Sequence, residues 1–253
     1  MYKRQLIYLG VSGDGDSASI GLGQFAHALR RGVNMVYIVE NNGVYGLTKG
    51  QFSATADRGS KSKRGVTNTD NSIDLVAMAL QLGATFVARS FSGDKDQMVP
   101  LIKAAIEHEG AAFIDIISPC VAFNNHLGST KSFDYVREHN EAVNRLDFMT
   151  GRPPITVAYE PGAVEVVEQH DGSKLVLKKV AADYDPHDRL GAMSFLQRHA
   201  AVGQIVTGLL YVDREPEDLH RNFNTVEAPL NSLSETELCP GAATLAKINA
   251  SLR

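Results

Sequence analysis

Tryptophan is absent from this 253-residue chain and cysteine occurs only twice, as Cys120 and Cys239, without a short-range pairing pattern. Such usage suits a reducing compartment better than a disulfide framework. No apolar run approaches the roughly 20 residues needed to cross a bilayer. The N-terminus has neither a signal-peptide nor a lipidation pattern, so a cytoplasmic protein with no membrane partner is expected. A basic excess is lacking too: the formal charge is −4 and the pI about 6.1. No global field is available to hold nucleic acid, and any anion site must be local. Internal repeats, low-complexity tracts and flexible linkers are also missing. What the chain does have is 43% hydrophobic residues, enough for a sizeable core in one large α/β domain or in a domain plus an extension.

The opening MYKRQ does not resemble the start of a domain, because the strand-like LIYLGVS comes directly after it with no helix or turn leading in. MYKRQ is also the translation of GTGTATAAGAGACAG with GTG as start codon, a transposon-end tag used in building sequencing libraries. These residues read as a cut end, and the natural N-terminus is expected upstream.

Apolar runs alternating with helical spacing organise the rest of the chain. Leu6 to Val11 reads as a strand, and Ile20, Leu22, Phe25, Ala28 and Leu29 recur at helical spacing. Val33 to Val39 is a second strand, completing a β-α-β unit. A polar loop from Ser53 to Asn71 leads to the helix SIDLVAMALQLGA, closed by Gly83, and the strand TFVARSF. A helix from about Asp96 to Glu107 and the strand AAFIDIIS come after it. Strands apolar almost throughout and separated by helices predict a mostly parallel α/β sheet covered on both faces. From about residue 151 the texture changes: VEVVEQ and KLVLKKV flank an Asp-Gly turn, predicting a hairpin. A helix from Asp188 to Ala201 and the strand QIVTGLLYVD come next. The expected division is therefore a first domain over 1–150 and an α+β extension over 151–253, packed on it.

In parallel sheets ligands sit beyond the carboxyl ends of the strands. Asp14, Asn42 and Cys120 each come just after a predicted strand end, so one rim can gather them. Asp14 lies in a glycine-rich turn, GDGDSA, where a phosphate alone gains nothing from a carboxylate. A metal between the two resolves this. Mg²⁺ takes about six oxygen ligands near ~2.1 Å, commonly with only one or two protein carboxylates when it also holds a diphosphate. Asp14 can supply one oxygen and the Asn42 amide another, while the helix beginning near Ser19 can turn its N–H groups toward phosphate. The turn lacks the third glycine of a dinucleotide fingerprint, and no GKS or GKT marks a P-loop.

GDG followed after one helix and one strand by NN resembles the diphosphate-binding motif of thiamine diphosphate enzymes. The adjoining VYGLTKGQ narrows the resemblance to the β subunit of 2-oxoacid:ferredoxin oxidoreductases, particularly the 2-oxoglutarate type. LGATFVAR, SPCVAFNN, YDPHDR, VTGLLYVD and the closing LCPG extend the match through most of the chain. The resemblance implies a thiamine diphosphate-binding fold, with cofactor contacts at Gly13, Asp14, Gly15, Asp16, Asn42, Val44, Gly46 and Leu47. Its Mg²⁺ ligands fall on Asp14, the Asn42 side chain and the Val44 carbonyl. Leu47 and Lys49 match positions near substrate and coenzyme A, where an ammonium beside the metal-diphosphate site attracts a carboxylate or a CoA phosphate.

Cys120 matches one of four cysteine ligands of a [4Fe-4S] cluster, the other three being absent from this sequence; Cys239 reads as structural. Arg58, Lys61, Lys63 and Arg64 form a basic loop, either solvated or meeting CoA phosphates or the acidic surface of ferredoxin. His27 and His126 have no partner at ligand spacing, and Arg30 and Arg31 read as helix surface or subunit contact. The activity implied is oxidative decarboxylation of 2-oxoglutarate with CoA to succinyl-CoA and CO₂, with electrons passed to ferredoxin. An α subunit is the implied partner, supplying the glutamate that thiamine enzymes place against the aminopyrimidine ring. Pyruvate as substrate stays open, as does a nonoxidative thiamine enzyme of the acetohydroxyacid synthase or pyruvate decarboxylase type. A nucleotide-binding regulatory domain is the non-enzyme alternative.

Overall fold

A computed structural model describes residues 6–62, 65–119, 154–169, 172–225, 228–239 and 241–252. MYKRQ lies outside them. The first half is built of βα units: β1 (Leu9–Gly13), α1 (Leu22–Arg30), β2 (Met35–Asn41), α2 (Leu75–Gln81), β5 (Phe86–Phe91), α3 (Lys95–Glu107) and β6 (Ala111–Ile117). Between β2 and α2 a small antiparallel ladder joins β3 (Val44–Tyr45) to β4 (Gln51–Phe52). Later come β7 (Val164–Glu168), β8 (Lys174–Lys179), α4 (Arg189–Ala200) and β9 (Ile205–Val212).

The main sheet has seven strands in the order β1-β2-β6-β5-β9-β8-β7. β1, β2, β6 and β5 run parallel. The apolar texture of β2, β5 and β6 results from burial on both faces, whereas β1, at the sheet edge, leaves Leu9 and Val11 exposed. On one face Phe25 and Leu29 of α1, Leu75, Val76, Ala79 and Leu80 of α2, and Ala192 and Leu196 of α4 pack on Val39, Val87, Phe113 and Leu210. On the other, Leu101 and Ala105 of α3 cover Val36, Ile38, Ala88, Ile114 and Ile116. The expected mostly parallel α/β sheet with helices on both faces is what is observed.

After residue 151 the sheet becomes mixed, with β8 and β9 running against the other strands. β9 pairs antiparallel with β5, β8 adds parallel to β9, and β7 closes the predicted hairpin antiparallel to β8. The 150/151 boundary thus falls within the span of one sheet, and contacts divide the chain elsewhere. Tyr8–Leu219 forms the large unit, and Met1–Ile7 with His220–Arg253 forms a small one. In the small unit a capping box between Ser234 and Glu237 starts a short helix, Glu235–Leu238, followed by the helix Gly241–Ser251. Neither helix buries a residue.

Side-chain carboxylates set the helix starts. Asp74 accepts from the Val76 and Ala77 N–H groups at 2.9 and 3.2 Å, Asp94 from Gln97 at 3.1 Å, and Asp188 from Gly191 at 2.9 Å. Gly83, at φ +86°, ends the α2 turn as the sequence predicts. Two boundaries differ from expectation in a way that register or backbone geometry explains. β1 starts at Leu9, not Leu6, because its partner β2 begins only at Met35 and the register pairs Leu9 with Val36. The helix expected near Ser19 begins earlier, as a π-helical turn over Gly15–Ile20, and breaks at Gly21 before α1. There the Gly21 N–H donates to the Asp16 carbonyl at 2.6 Å, and a Cβ on Gly21 would lie 2.6 Å from that same oxygen. The backbone path admits only glycine.

Candidate functional site at the carboxyl rim of the sheet

Because β1, β2 and β6 are parallel, their carboxyl ends share one rim. The Ser118 N–H donates to the Asn41 carbonyl at 2.8 Å, tying the exit of β6 to that of β2. Asp14 comes directly after β1 and is 1% exposed. Its Oδ2 accepts from the Gly43 N–H at 3.1 Å, from the Thr55 hydroxyl at 2.5 Å and from the Ser53 hydroxyl. Its Oδ1 accepts from the Asn42 N–H at 3.3 Å. Residues 28 apart are thus joined through one carboxylate, as the GDG and NN motifs predict.

The hairpin after Asn42 carries the remaining candidates. Asn42 turns its Oδ1 to the Val44 N–H at 3.0 Å. Val44 lies opposite Phe52, with the ladder bond running from the Ser53 N–H to the Gly43 carbonyl. Val44 therefore occupies a non-hydrogen-bonded position, and β4 does not use its carbonyl. Tyr45 donates its hydroxyl to the Gly15 carbonyl at 3.0 Å, and a Cβ on Gly15 would meet the Tyr45 ring at 2.4 Å. The second glycine of GDG is needed for this ring to lie across the turn. Gly13 ends β1, and Asp16 is exposed on the π-helical turn.

At the hairpin tip the Lys49 N–H donates to the Gly46 carbonyl at 3.2 Å and the Gly50 N–H to Tyr45 at 2.9 Å. Leu47 is 90% exposed. Lys49 is exposed and has φ +77°, a left-handed conformation uncommon for a side chain of this kind. It lines an open groove of about 240 Å³ with Thr48, Gly50, Gln51, Phe52, Ser62 and Val66.

Beneath the rim runs a chain of polar contacts that the motifs do not reveal. The Thr55 hydroxyl lies 3.0 Å from Asn41 Oδ1, and Asn41 Nδ2 donates to Asp115 Oδ1 at 3.1 Å. Asp115 is fully buried and takes Arg89 Nε on Oδ2 at 2.8 Å; Arg89 reaches the capping carboxylate Asp74 at 2.6 Å with its other end. Burial pushes the Asp115 carboxyl above its usual range, against the attraction of Arg89. Asp74 is subject to burial as well, yet Arg89 and two backbone N–H donors outweigh it and lower its pKa. The difference is physical: one guanidinium serves two carboxylates, and only Asp74 also accepts from a helix N-terminus. Ser53, Thr55 and Asn41 were not singled out from sequence, since Ser53 and Thr55 open a loop that is polar throughout.

Cys120, His126, Lys63 and Arg64 lie outside the described residues, as do His170 and Asp171 of the predicted turn. Cys239 is exposed, so it packs into no core. Arg58 donates to Asn71 at 3.2 Å, and Lys61 pairs with Thr67 across the loop. Arg30 Nε donates to His27 Nδ1 at 2.8 Å on the surface of α1. Among the described residues there is no cluster of three or more His, Cys, Asp or Glu that could hold a metal, and no helix is long and apolar enough to cross a membrane.

Known proteins are similar to this chain. Residues 3–116 match the family model "Thiamine pyrophosphate enzyme, C-terminal TPP binding domain". A 2-oxoacid:ferredoxin oxidoreductase subunit beta from Sulfolobus sp is 46% identical over 151 residues, 59% of this chain and 47% of the relative. The 2-oxoglutarate oxidoreductase subunit KorB of Mycobacterium tuberculosis is 37% identical over 144 residues, 56% of this chain and 37% of the relative. Among solved structures, a 2-oxoglutarate:ferredoxin oxidoreductase from Magnetococcus marinus, with 2-oxoglutarate, coenzyme A and succinyl-CoA bound, superposes with a TM-score of 0.60. It is 30% identical, and the match covers 85% of this chain and 60% of that one. The chain spans about half the length, or less, of the curated relatives it matches. The resemblance legible in GDGDSA and NNGVYGLTKGQ is borne out: this chain is similar to the β subunits of 2-oxoacid:ferredoxin oxidoreductases.

Proposed function

We propose that this chain forms part of the β subunit of a cytoplasmic 2-oxoacid:ferredoxin oxidoreductase. The whole enzyme, completed by an α subunit, oxidatively decarboxylates 2-oxoglutarate with CoA to succinyl-CoA and CO₂ and passes the electrons to ferredoxin. The observation that carries this is the convergence of Asp14 and Asn42 through one carboxylate at the carboxyl rim.

The donor set fits Mg²⁺. A carboxylate oxygen of Asp14, the amide oxygen of Asn42 and the carbonyl of Val44 are hard oxygen donors, and only one of them is charged. The diphosphate and water supply the rest of the shell. When bound, thiamine diphosphate provides the carbon nucleophile and the electron sink of the decarboxylation. Asp14 would hold the metal, and Gly15 leaves room for the Tyr45 ring across the turn. Tyr45 holds the turn at the Gly15 carbonyl. Gly13, Asp16, Gly46 and Leu47 border the same rim and hairpin. Lys49 brings a positive charge to the groove, where it draws the carboxylate of the 2-oxo acid or a phosphate of CoA.

A [4Fe-4S] cluster does not fit the residues of this chain alone. Such a cluster takes four thiolates, and the sequence holds two cysteines, one of them the exposed Cys239. Cys120 is one proposed ligand.

Anaerobic reduction of a viologen dye tests the reading. The full-length β subunit is coexpressed with its α partner and assayed with 2-oxoglutarate or pyruvate, with and without CoA. CoA-dependent dye reduction with 2-oxoglutarate is expected. Preference for pyruvate would change the substrate, and decarboxylation without dye reduction would move the protein to the nonoxidative thiamine enzymes.

A further inference from the structure

The two oxygens of Asp14 are not equivalent. Oδ2 takes three donors, the Gly43 N–H, the Ser53 hydroxyl and the Thr55 hydroxyl. Oδ1 takes the Asn42 N–H alone among the described contacts, at a long 3.3 Å. Three donors occupy Oδ2, whereas Oδ1, with one long hydrogen bond, keeps acceptor capacity for a cation. The carboxylate is thus set for one-oxygen coordination, the mode that suits a small ion demanding regular octahedral geometry.

The clamp is itself held. The Thr55 N–H donates to Ser53 Oγ at 3.2 Å, leaving the Ser53 proton for Asp14. Thr55 Oγ1 sits between Asp14 Oδ2 and Asn41 Oδ1, at 2.5 and 3.0 Å. Asn41 cannot turn freely, because its Nδ2 is engaged by Asp115, and Asp115 is fixed by Arg89. The Ser72 hydroxyl donates to the Thr55 carbonyl at 2.8 Å and anchors the loop from behind.

Resting on the proposed thiamine diphosphate site, we infer that Ser53 and Thr55 are positioning residues for the metal ligand Asp14. They hold one carboxylate oxygen so that the other would be left for Mg²⁺, and Asn41, 3.0 Å from Thr55 Oγ1 and donating to Asp115, sits between this pair and the Asp115–Arg89 ion pair. Hydrogen-bond partners of metal ligands act on metal affinity, with losses of about 10–100-fold when removed.

The test is a titration of Mg²⁺ at fixed thiamine diphosphate into the assembled αβ enzyme, read by calorimetry without substrate. Thr55→Val keeps the shape and removes the hydroxyl; its apparent Mg²⁺ affinity is expected to fall about 10–100-fold, and Thr55→Ser to restore most of it. Ser53→Ala is expected to weaken binding in the same direction. Wild-type affinity in both Thr55→Val and Ser53→Ala would overturn the inference. So would a lowered melting temperature of the metal-free enzyme with unchanged Mg²⁺ affinity, the signature of a purely structural role, or failure of both variants to assemble. If the wild-type enzyme itself shows no Mg²⁺-dependent binding of thiamine diphosphate, it is the functional reading that fails, and this inference with it.

Discussion

Asn41 and Asn42 are neighbours in sequence but serve opposite sides of the rim, because successive side chains at a strand end alternate in direction. Asn42 faces the hairpin and meets Val44, while Asn41 faces inward, between Thr55 and Asp115. Asn41 donates its Nδ2 to the Asp115 carboxylate, and its Oδ1 lies 3.0 Å from Thr55 Oγ1. Asn41→Asp would set a third carboxylate between Asp14 and Asp115 with Arg89 already shared. A stability loss of about 3 kcal/mol or more is expected from such an uncompensated charge, measured by urea unfolding; an unchanged midpoint would show that the polar chain is not under strain of charge. Lys49 separates two effects in one residue. Lys49→Gly relieves a left-handed backbone worth about 1–2 kcal/mol and also removes the ammonium, so melting temperature should rise while KM for the 2-oxo acid or CoA rises with it. Asp14 and Asn42 were legible in sequence because their spacing matches a motif with a chemical reason. Ser53 and Thr55 were not, because hydroxyls in a polar loop carry no periodicity.

At the scale of elements, the turn from β1 into α1 is the least ordinary part of the fold. Its π-helical geometry places Gly21 against the Asp16 carbonyl, and π-helical turns are often found at functional sites. Gly21→Ala forces that carbonyl aside, and a loss of about 1–3 kcal/mol is expected, accompanied by weaker thiamine diphosphate binding. Wild-type stability would mean that the turn relaxes to ordinary α-helix at no cost. Helix α2 supplies a pH dependence. The pKa of Asp74 is lowered from 3.8, despite burial, by Arg89 and the two N–H groups it caps. A depressed carboxylate contributes stability that is present above its unfolded value and is lost as pH falls through its folded value. Wild-type stability should therefore decline below about pH 4, and Asp74→Asn should flatten that acid limb in urea midpoints measured from pH 5 to 2. The strand and helix types were legible from apolar periodicity. Their ends were not, because register against a partner sets them, as Leu9 opposite Val36 shows.

For the whole molecule, the strands on both sides of residue 151 join one sheet, with β9 antiparallel to β5 and the β7–β8 hairpin added beyond it. Composition registers strand direction through burial and turn chemistry, but it cannot say which strand a later hairpin will join. The rim built from β1, β2 and β6 is local to the first half of the chain, and the chemistry proposed for it depends on one carboxylate. The most direct measurement is therefore Mg²⁺-dependent binding of thiamine diphosphate to the assembled enzyme, comparing wild type with the near-isosteric Asp14→Asn. Binding is expected in the wild type, is expected to be lost in the variant, and should disappear in both when Mg²⁺ is chelated. Equal binding by the two proteins, or binding indifferent to Mg²⁺, would contradict a metal site built on Asp14.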